Sequence, residues 1–440
     1  MDLKHKNNKK SLILFLVLCP WSFVHGLFSP LPAFAASIPP NIAILDSKPT
    51  DLKEIEKLIG YRWFEEAWMA LMDYPPDDEE VLFLKAQALM GLKKYGESLA
   101  LFRGIIKTTD KKKRRQESIM KEAMLLVRLK RYDEALITYQ KLIDQVHGKT
   151  IEKRLLWRAF KTALEARNYK EGVRWSKHLS GQEAIWWRGW CYFQMNDYVH
   201  AQNNWEMISK RSDFYPQALY WKAQILKKRG AKEKAESLFQ LLTEKFPRTY
   251  YGFLSLFELH PKEKEALHFM EAQWFADDNR EKWEKTFPEK FEDAVRKESK
   301  KRKIDPYLVF ALIRQESHFR ESVVSPVGAI GLAQLMPQTA LFLAKAAKIK
   351  PFHLVDILKP EMNLKLGVFY LAFLEKLFEE QTVFAVAAYN AGEEAVSRWL
   401  SRRKKMESIE FIEEIPYNET QRYTKKILAA YWIYSWLYKG

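Results

Sequence analysis

The chain has 440 residues, of which 47% are hydrophobic and 14% aromatic, with only 16 Gly and 18 Pro. This composition excludes a disordered or collagen-like protein, because it is rich in apolar anchors and poor in turn residues. The formal net charge of +16 suits an anionic partner such as a cell-wall polymer or a membrane surface. Nucleic acid would be the rival partner, but no nucleic-acid-binding motif is present. We therefore do not expect the chain to bind nucleic acid.

The first 35 residues have the pattern of an export signal. Four lysines precede the apolar run "SLILFLVLC" (Ser11 to Cys19), and "AFA" (Ala33 to Ala35) offers small residues for cleavage. The apolar run is too short to span a bilayer. We therefore expect a signal peptide over 1–35 and a periplasmic or envelope location, with an uncleaved anchor as the alternative. Cleavage would leave Cys191 as the only cysteine, so no intrachain disulfide is expected.

A small residue then recurs with a period of about 34 residues, the tetratricopeptide period. The recurring residues are Ala67, Ser98, Ala135, Gly172, Ala201 and Ala235. An aromatic residue lies three positions before most of them, which places both on one helical face. Helix pairs of this kind must stack to bury their faces. We predict a tetratricopeptide-like helical superhelix over 36–276, with a plain helical bundle as the alternative.

The chain changes character after the repeats. Residues 277–303 are charge-dense and are predicted to form a linker helix. Beyond them the repeat disappears and Gly, Ala and Pro become more frequent, so a second domain is placed over 286–440. Period-two alternation and β-branched runs are scarce throughout, and the predicted class is all-α. No Cys/His spacing resembles a metal site, and neither a metal nor a cofactor is predicted.

One carboxylate falls where an apolar residue is expected. Asp305 and Pro306 are typical of a helix start. The apolar stripe that follows consists of Leu308, Val309, Leu312 and Ile313. Glu316 comes next on that stripe, near the end of the helix. Burial and the negative end of the helix dipole both favour the protonated form, which suits a general acid. The alternative is a structural ion pair with Arg314 or Arg320.

Two turn-rich segments follow. "SPVGAIG" (Ser325 to Gly331) contains two glycines, which let the backbone pass close to a ligand. "AAYNAG" (Ala387 to Gly392) ends a helix at Gly392. Tyr389 and Asn390 lie at that break, where they could equally be a packing aromatic and a helix cap.

Five segments resemble, in order, the signature segments of soluble lytic transglycosylases. They are "ALIRQESHF", "SPVGAIGLAQLMPQTA", "EMNLKLG", "AAYNAG" and "FIEEIPYNETQRYTKKIL". The match covers about 304–428. The resemblance implies a domain similar to goose-type lysozyme that cleaves the β-1,4 bond between N-acetylmuramic acid and N-acetylglucosamine in peptidoglycan. It also implies a 1,6-anhydromuramoyl product and glycan strands as partner. For the solenoid three roles are open: wrapping the catalytic domain, forming a ring for glycan strands, or binding another cell-wall protein.

The resemblance also implies residue roles. Glu316 matches the sole catalytic acid/base. Ser325 matches a serine that hydrogen-bonds near the acid and the sugar, and Tyr389 a tyrosine that supports the carboxylate. The other implied substrate-binding residues are Gln334, Met336, Asn390 and Glu413. Ala333 and Glu414 depart from the usual Met and Ser, which bears on subsite preference.

Most glycosidases need two carboxylates, but one suffices if the substrate acetamido group supplies the second function. Glu321, the nearest other acid in the motif region, falls on the predicted loop surface. A lysozyme-like hydrolase and an inactive wall-binding scaffold remain the two alternatives.

Overall fold

A computed structural model of the chain describes residues 49, 51–146, 148–275, 280–401 and 408–439. The predicted export signal lies outside these residues, as does the start of the predicted linker, 277–279. Among the helices described, none combines the length and the apolar character needed to cross a bilayer.

The N-terminal part is built from helices that each pack on the next in sequence. They are α1 (Leu52–Gly60), α2 (Phe64–Leu71), α3 (Glu79–Gly91), α4 (Tyr95–Thr108), α5 (Lys112–Arg128), α6 (Tyr132–Gln145), α7 (Lys149–Glu165), α8 (Tyr169–Ser176), α9 (Gln182–Gln194), α10 (Tyr198–Glu206), α11 (Tyr215–Lys228), α12 (Lys232–Lys245), α13 (Tyr250–Leu259) and α14 (Glu263–Phe269), which ends in a π-helical turn (Met270–Trp274). The six recurring small residues are all buried, each as the fourth residue of an even-numbered helix from α2 to α12. The predicted helix pairs are confirmed.

A common turn joins the two helices of each pair. The residue five positions before each small residue has a positive φ, and these residues are Arg62, Lys93, Lys130, Arg167, Asn196 and Gly230. The amide after each of them returns to a carbonyl five residues back, as in Lys94 N to Leu89 O at 2.9 Å. This is the Schellman arrangement, which satisfies the last carbonyls of a helix. Most of these turns place a cationic side chain where glycine is the usual choice.

The C-terminal part is a compact group of helices around a loop. They are α15 (Arg280–Thr286), α16 (Glu292–Arg302), α17 (Pro306–Ser317), α18 (Pro337–Ala346), α19 (Pro360–Leu377), α20 (Thr382–Ala391), α21 (Glu393–Leu400), α22 (Ser408–Glu413) and α23 (Asn418–Lys439), with a 3₁₀ turn at Leu354–Leu358. Helix α16, inside the predicted linker, packs on α17 and α19 and buries Val295 and Ser299. The domain boundaries stay predictions.

Two hydrophobic cores each contain residues from both parts of the chain. One joins Trp187 and Trp221 of the solenoid with Phe411 and Ile412 of α22. The other joins Phe253 of α13 with α17 and α23. The solenoid therefore packs directly against the C-terminal helices. Among the described residues only isolated β-bridges occur, and the predicted all-α class is confirmed.

Candidate active site

Helix α17 positions Glu316 at the edge of the C-terminal core. The helix begins as predicted, with Asp305 as its N-cap and its carboxylate accepting from the Tyr307 amide at 2.9 Å. The whole predicted apolar stripe is buried, while Glu316 is half-buried, one residue before the helix ends. The Tyr423 hydroxyl, from α23, donates to Oε1 of Glu316. The carboxyl group is thus held in place from a second helix.

The surroundings of Glu316 favour its neutral form. Burial raises the pKa of Glu316 to about 7; the Tyr423 hydrogen bond opposes this rise and the negative charge of Glu419 adds to it. A carboxyl group with a pKa near 7 is substantially protonated at neutral pH. It can therefore give up a proton and later take one back.

The alternative of a structural ion pair does not describe this site. Arg314 donates through Nε to the Thr286 carbonyl at 3.1 Å, and its guanidinium lies over the Phe287 ring. Arg320 donates to the Ser317 carbonyl at 3.1 Å. Glu316 forms no ion pair with any described residue. A cavity of about 490 Å³ on this flank of α17 is lined by Arg314 but not by Glu316.

The loop after α17 is tied together by its own backbone and by Gln334. Short bridges pair Val324 with Ile330 and Ile330 with Leu335. The Gln334 side-chain amide donates to the carbonyls of Val323 at 3.0 Å and Gly331 at 2.8 Å. Gln334 therefore uses its amide hydrogens to hold the loop, which leaves its side-chain carbonyl as the group able to bind a ligand.

Ser325 and Met336 lie at opposite ends of this loop. The Ser325 hydroxyl oxygen accepts from the Ala329 amide at 2.9 Å, so its proton remains available to a further acceptor. Met336 is half-buried and forms the N-cap of α18, with Pro337 as the first helical residue. Within the described residues, neither side chain forms a hydrogen bond with Glu316.

Asn363 anchors the loop and was not singled out from the sequence. It is 1% exposed. Its Oδ1 accepts from the Ala333 amide at 2.8 Å, and its Nδ2 donates to the Ile330 carbonyl at 2.8 Å and the Ile357 carbonyl at 3.0 Å. Gly331 has φ +79° and approaches this amide so closely that a Cβ there would lie 2.4 Å from Nδ2. Asn363, the asparagine of "EMNLKLG", thus fixes the backbone path of the loop.

Tyr389 and Asn390 lie in the last turn of α20. The Tyr389 hydroxyl donates to the Ala333 carbonyl at 2.9 Å, not to Glu316. Burial, and then the negative charge of Glu316, raise the pKa of Tyr389 well above its ordinary value. Asn390 accepts from the Thr420 hydroxyl at 2.5 Å and so connects α20 to the start of α23.

Glu413 does not face a groove in this structure. It is 0% exposed. Its carboxylate accepts hydrogen bonds from Gln217 at 2.6 Å, Trp221 at 3.1 Å, Tyr251 at 2.6 Å and Lys425 at 2.8 Å. Three of these donors belong to the solenoid and leave no room for a sugar. The placement corrects the expectation that Glu413 binds substrate: it connects the two parts of the chain.

Tyr423 and Glu419 are the neighbours of Glu316 that sequence reasoning missed. Both lie in the quoted segment "FIEEIPYNETQRYTKKIL", four residues apart on α23, but nothing in that segment says which face meets α17. Across the described residues, no group of three or more His, Cys, Asp or Glu side chains is arranged to hold a metal ion.

Comparison with known protein families bears on this arrangement. Residues 293–412 match the transglycosylase SLT domain family, which covers α17, the loop and α20. Residues 117–146 and 217–249 match tetratricopeptide repeats. The chain carries an SLT domain joined to tetratricopeptide-like repeats. Helix α23, which supplies Tyr423, lies outside the SLT match.

Curated relatives are similar to about a third of the chain. The soluble lytic murein transglycosylase of Salmonella typhimurium is 36% identical over 148 residues, which is 33% of this chain and 23% of the relative. The protein of the same name from Escherichia coli K12 is 36% identical over 155 residues, 34% of this chain and 24% of the relative. The matched segment thus spans about a quarter of each relative.

Solved structures show a weaker likeness over more of the chain. The 70-kDa soluble lytic transglycosylase from Escherichia coli is 19% identical, with a TM-score of 0.47, and the comparison covers 91% of this chain and 73% of that one.

Proposed function

We propose that this protein is a peptidoglycan lytic transglycosylase that cleaves the β-1,4 bond between N-acetylmuramic acid and N-acetylglucosamine. The observation that carries the proposal is Glu316, a carboxyl group with a pKa of about 7 and no cationic partner among the described residues, inside a segment that matches the SLT family. The curated relatives that match about a third of the chain are named soluble lytic murein transglycosylase.

In the first step, neutral Glu316 gives its proton to the glycosidic oxygen. The bond between this oxygen and C1 of the muramoyl unit breaks, and the N-acetylglucosamine part leaves as an alcohol. The carbonyl oxygen of the muramoyl 2-acetamido group stabilises the cation at C1, so the substrate supplies the function that a second carboxylate has in other glycosidases.

In the second step, the Glu316 carboxylate takes the proton of the C6 hydroxyl. The C6 oxygen then attacks C1 and displaces the acetamido oxygen, which closes a 1,6-anhydro ring. No water is consumed, and Glu316 ends protonated as it began. Tyr423 would stabilise the carboxylate between the two steps, since its hydroxyl donates to Oε1.

The loop and α20 would hold the sugars beside the acid. Ser325 has a hydroxyl proton free to donate, and Gln334 has a side-chain carbonyl free to accept. Met336 offers an apolar contact at the start of α18. Tyr389 would act by fixing the Ala333 carbonyl, and Asn390 by joining α20 to α23.

The proposed location is the cell envelope, reached through the signal-like first 35 residues. Glycan strands are the proposed partner, and the positive net charge of the chain would favour this anionic material. The solenoid is also a proposed surface for other cell-wall proteins.

Digestion of purified sacculi tests the proposal. The wild-type protein is expected to release muropeptides lighter by one water than their reducing counterparts, as read by mass spectrometry. Glu316→Gln keeps the shape and the Tyr423 contact but removes the titrating proton, and release is expected to fall to background. Near-normal release by this variant would contradict the role of Glu316.

A lysozyme-like hydrolase is the second candidate, and one observation favours it. Glu419 is a second carboxylate whose charge reaches Glu316, and paired carboxylates are the usual requirement for attack by water. The same digest separates the two reactions, because hydrolysis leaves reducing muramic ends.

A further inference from the structure

A second cavity lies between the solenoid and the C-terminal helices, away from Glu316. Its volume is about 420 Å³, within the range of small-molecule sites. Helices α5, α6, α7 and α9 line one side, and Arg398 of α21 and the segment Pro416–Asn418 line the other. None of the residues discussed at the Glu316 site lines it.

Arg398 is the most buried cation of this cavity. Its side chain is 5% exposed, and its Nε donates to Oε1 of Glu165 at 2.6 Å. Its Nη1 is buried and has no hydrogen-bond partner among the described residues. A buried guanidinium hydrogen left without an acceptor costs free energy, which an acceptor inside the cavity would recover.

Three further cations, Arg128, Arg158 and Lys161, line the cavity, and none of them forms an ion pair with a described residue. The Arg158 guanidinium interacts with the Tyr139 hydroxyl. Lys161 donates to the neutral amide oxygen of Asn418 at 3.0 Å. Burial lowers the pKa of Lys161 to about 7, although the charge of Glu183 opposes this. An anion in the cavity would favour its protonated form.

Aromatic rings form part of the cavity wall. Trp157 and Tyr417 both line the cavity. Tyr417 is 38% exposed and its hydroxyl accepts from Arg128 Nη2 at 3.1 Å. An apolar face beside several cations is suited to a ligand that has both a flat or apolar body and a negative charge.

We propose that this cavity binds a small organic carboxylate, with Arg398 and Arg158 as its anion ligands and Trp157 and Tyr417 against its body. Arginine is suited to this role because its fork of donors matches the two carboxylate oxygens. The inference does not depend on the proposed function. A carboxylate of this kind could come from a sugar acid or from a peptide C-terminus.

Calorimetric titration of the full chain distinguishes these sources. N-acetylmuramic acid is compared with N-acetylglucosamine, which lacks the lactyl carboxylate, and D-alanyl-D-alanine with its C-terminal amide. At least one acid is expected to bind about tenfold more tightly than its neutral counterpart, the effect of one charge-assisted hydrogen bond. The pair that shows the difference identifies the source.

Variants assign any such binding to the cavity. Arg158→Gln is expected to weaken the acid about tenfold or more and to leave the neutral ligand unchanged. Arg154→Gln is the matched control, because Arg154 lies one turn earlier on α7, is exposed and does not line the cavity. Arg398→Gln is a second variant, although it leaves Glu165 without its partner and needs a check of folding.

Two results would overturn the inference. One is that, in both pairs, the acid and its neutral counterpart bind with the same affinity. The other is a preference for the acid that Arg158→Gln leaves intact, since the ligand would then occupy another site. Glu316→Gln does not change the cavity, so carboxylate binding should persist in this variant even though its catalytic activity is lost. The binding measurement therefore tests the cavity independently of the proposed catalytic role of Glu316.

Discussion

The Tyr423 hydroxyl donates to Oε1 of Glu316 and thereby joins the second turn of α23 to the last turn of α17. Two residues along α23, Lys425 forms an ion pair with Glu413 at 2.8 Å, and Glu413 also binds three solenoid side chains. One helix therefore carries both the partner of the candidate acid and the main polar link to the solenoid.

Replacement of Tyr423 by Phe is expected to shift the alkaline limb of the pH–activity profile upward. The hydrogen bond stabilises the carboxylate and lowers the pKa of Glu316, so its loss raises that pKa further. The expected shift is about 1 pH unit. Initial rates of muropeptide release between pH 5 and 9 measure it.

Tyr438→Phe is the control for this change, because its hydroxyl lies on the same helix and donates to the Phe287 carbonyl at 2.8 Å instead. It is expected to leave the limb in place. A purely structural role for Tyr423 would lower the rate at all pH values without moving the limb.

Replacement of Glu419 by Gln is expected to move the same limb in the opposite direction. The negative charge of Glu419 raises the pKa of Glu316, so its removal lowers that pKa and activity is lost at a lower pH. The shift should be a fraction of a pH unit, because Glu419 is exposed and its charge is screened. It should shrink further in about 1 M salt. An unchanged product mixture would also argue against Glu419 as a second catalytic carboxylate.

Local features of the sequence predicted much of this structure. Asp305 and Pro306 fixed the start of α17, and the period of the apolar stripe placed Glu316 at the core's edge. The recurring small residues predicted the helix pairs because close helix packing needs a residue without bulk at those positions. Each of these inferences depends on residues within one or two helical turns of one another.

Long-range partners could not be predicted in the same way. Tyr423 lies 107 residues from Glu316, and Tyr251 lies 162 residues from Glu413. Which faces of two distant helices meet is decided by tertiary packing and not by local pattern. The left-handed turns were also invisible, because Lys93 and Lys130 occupy them where glycine would have been the signal.

Glu316→Gln is expected to stabilise the fold at high pH. The folded-state pKa is about 7, above the ordinary value of 4.5, so the wild-type protein loses stability as pH rises from about 4.5 to 7. Glutamine does not titrate. Above pH 7 the variant should gain on the order of 1–3 kcal/mol, and below pH 4.5 almost nothing. Urea unfolding at pH 5 and pH 8 measures the difference.

Glu321→Gln is the matched control, since this carboxylate is exposed in the loop after α17. It should change stability little at either pH. Equal stability of the Glu316 variant and the wild type at pH 8 would contradict a carboxylate that is costly to ionise.

Glu413→Ala is expected to destabilise the fold by about 3–5 kcal/mol, because Lys425 would be left buried without its partner. Urea unfolding followed by tryptophan fluorescence measures the loss. The double variant Glu413→Ala, Lys425→Met removes both charges and should recover part of it. Glu265→Ala, which breaks an exposed pair with Lys262, should have little effect. If Glu413→Ala were equally mild, Glu413 would not be the buried link described above.

Two glycine substitutions in helices should have opposite effects on stability. A Cβ at Gly367 of α19 would lie 2.4 Å from the Ala333 Cβ and 3.3 Å from the Tyr389 hydroxyl oxygen. Gly367→Ala must therefore displace the segment that Tyr389 and Asn363 hold, and we expect a loss of about 1–3 kcal/mol together with lower activity. A Cβ at Gly104 of α4 would meet nothing within 4 Å, so Gly104→Ala should gain up to about 1 kcal/mol with unchanged activity. Urea unfolding and sacculus digestion of both variants test this. If Gly367→Ala also stabilised the fold, Ala333 would be able to move away from α19 without cost. The contact between Gly367 and Ala333 would then not be what fixes the loop beside Glu316.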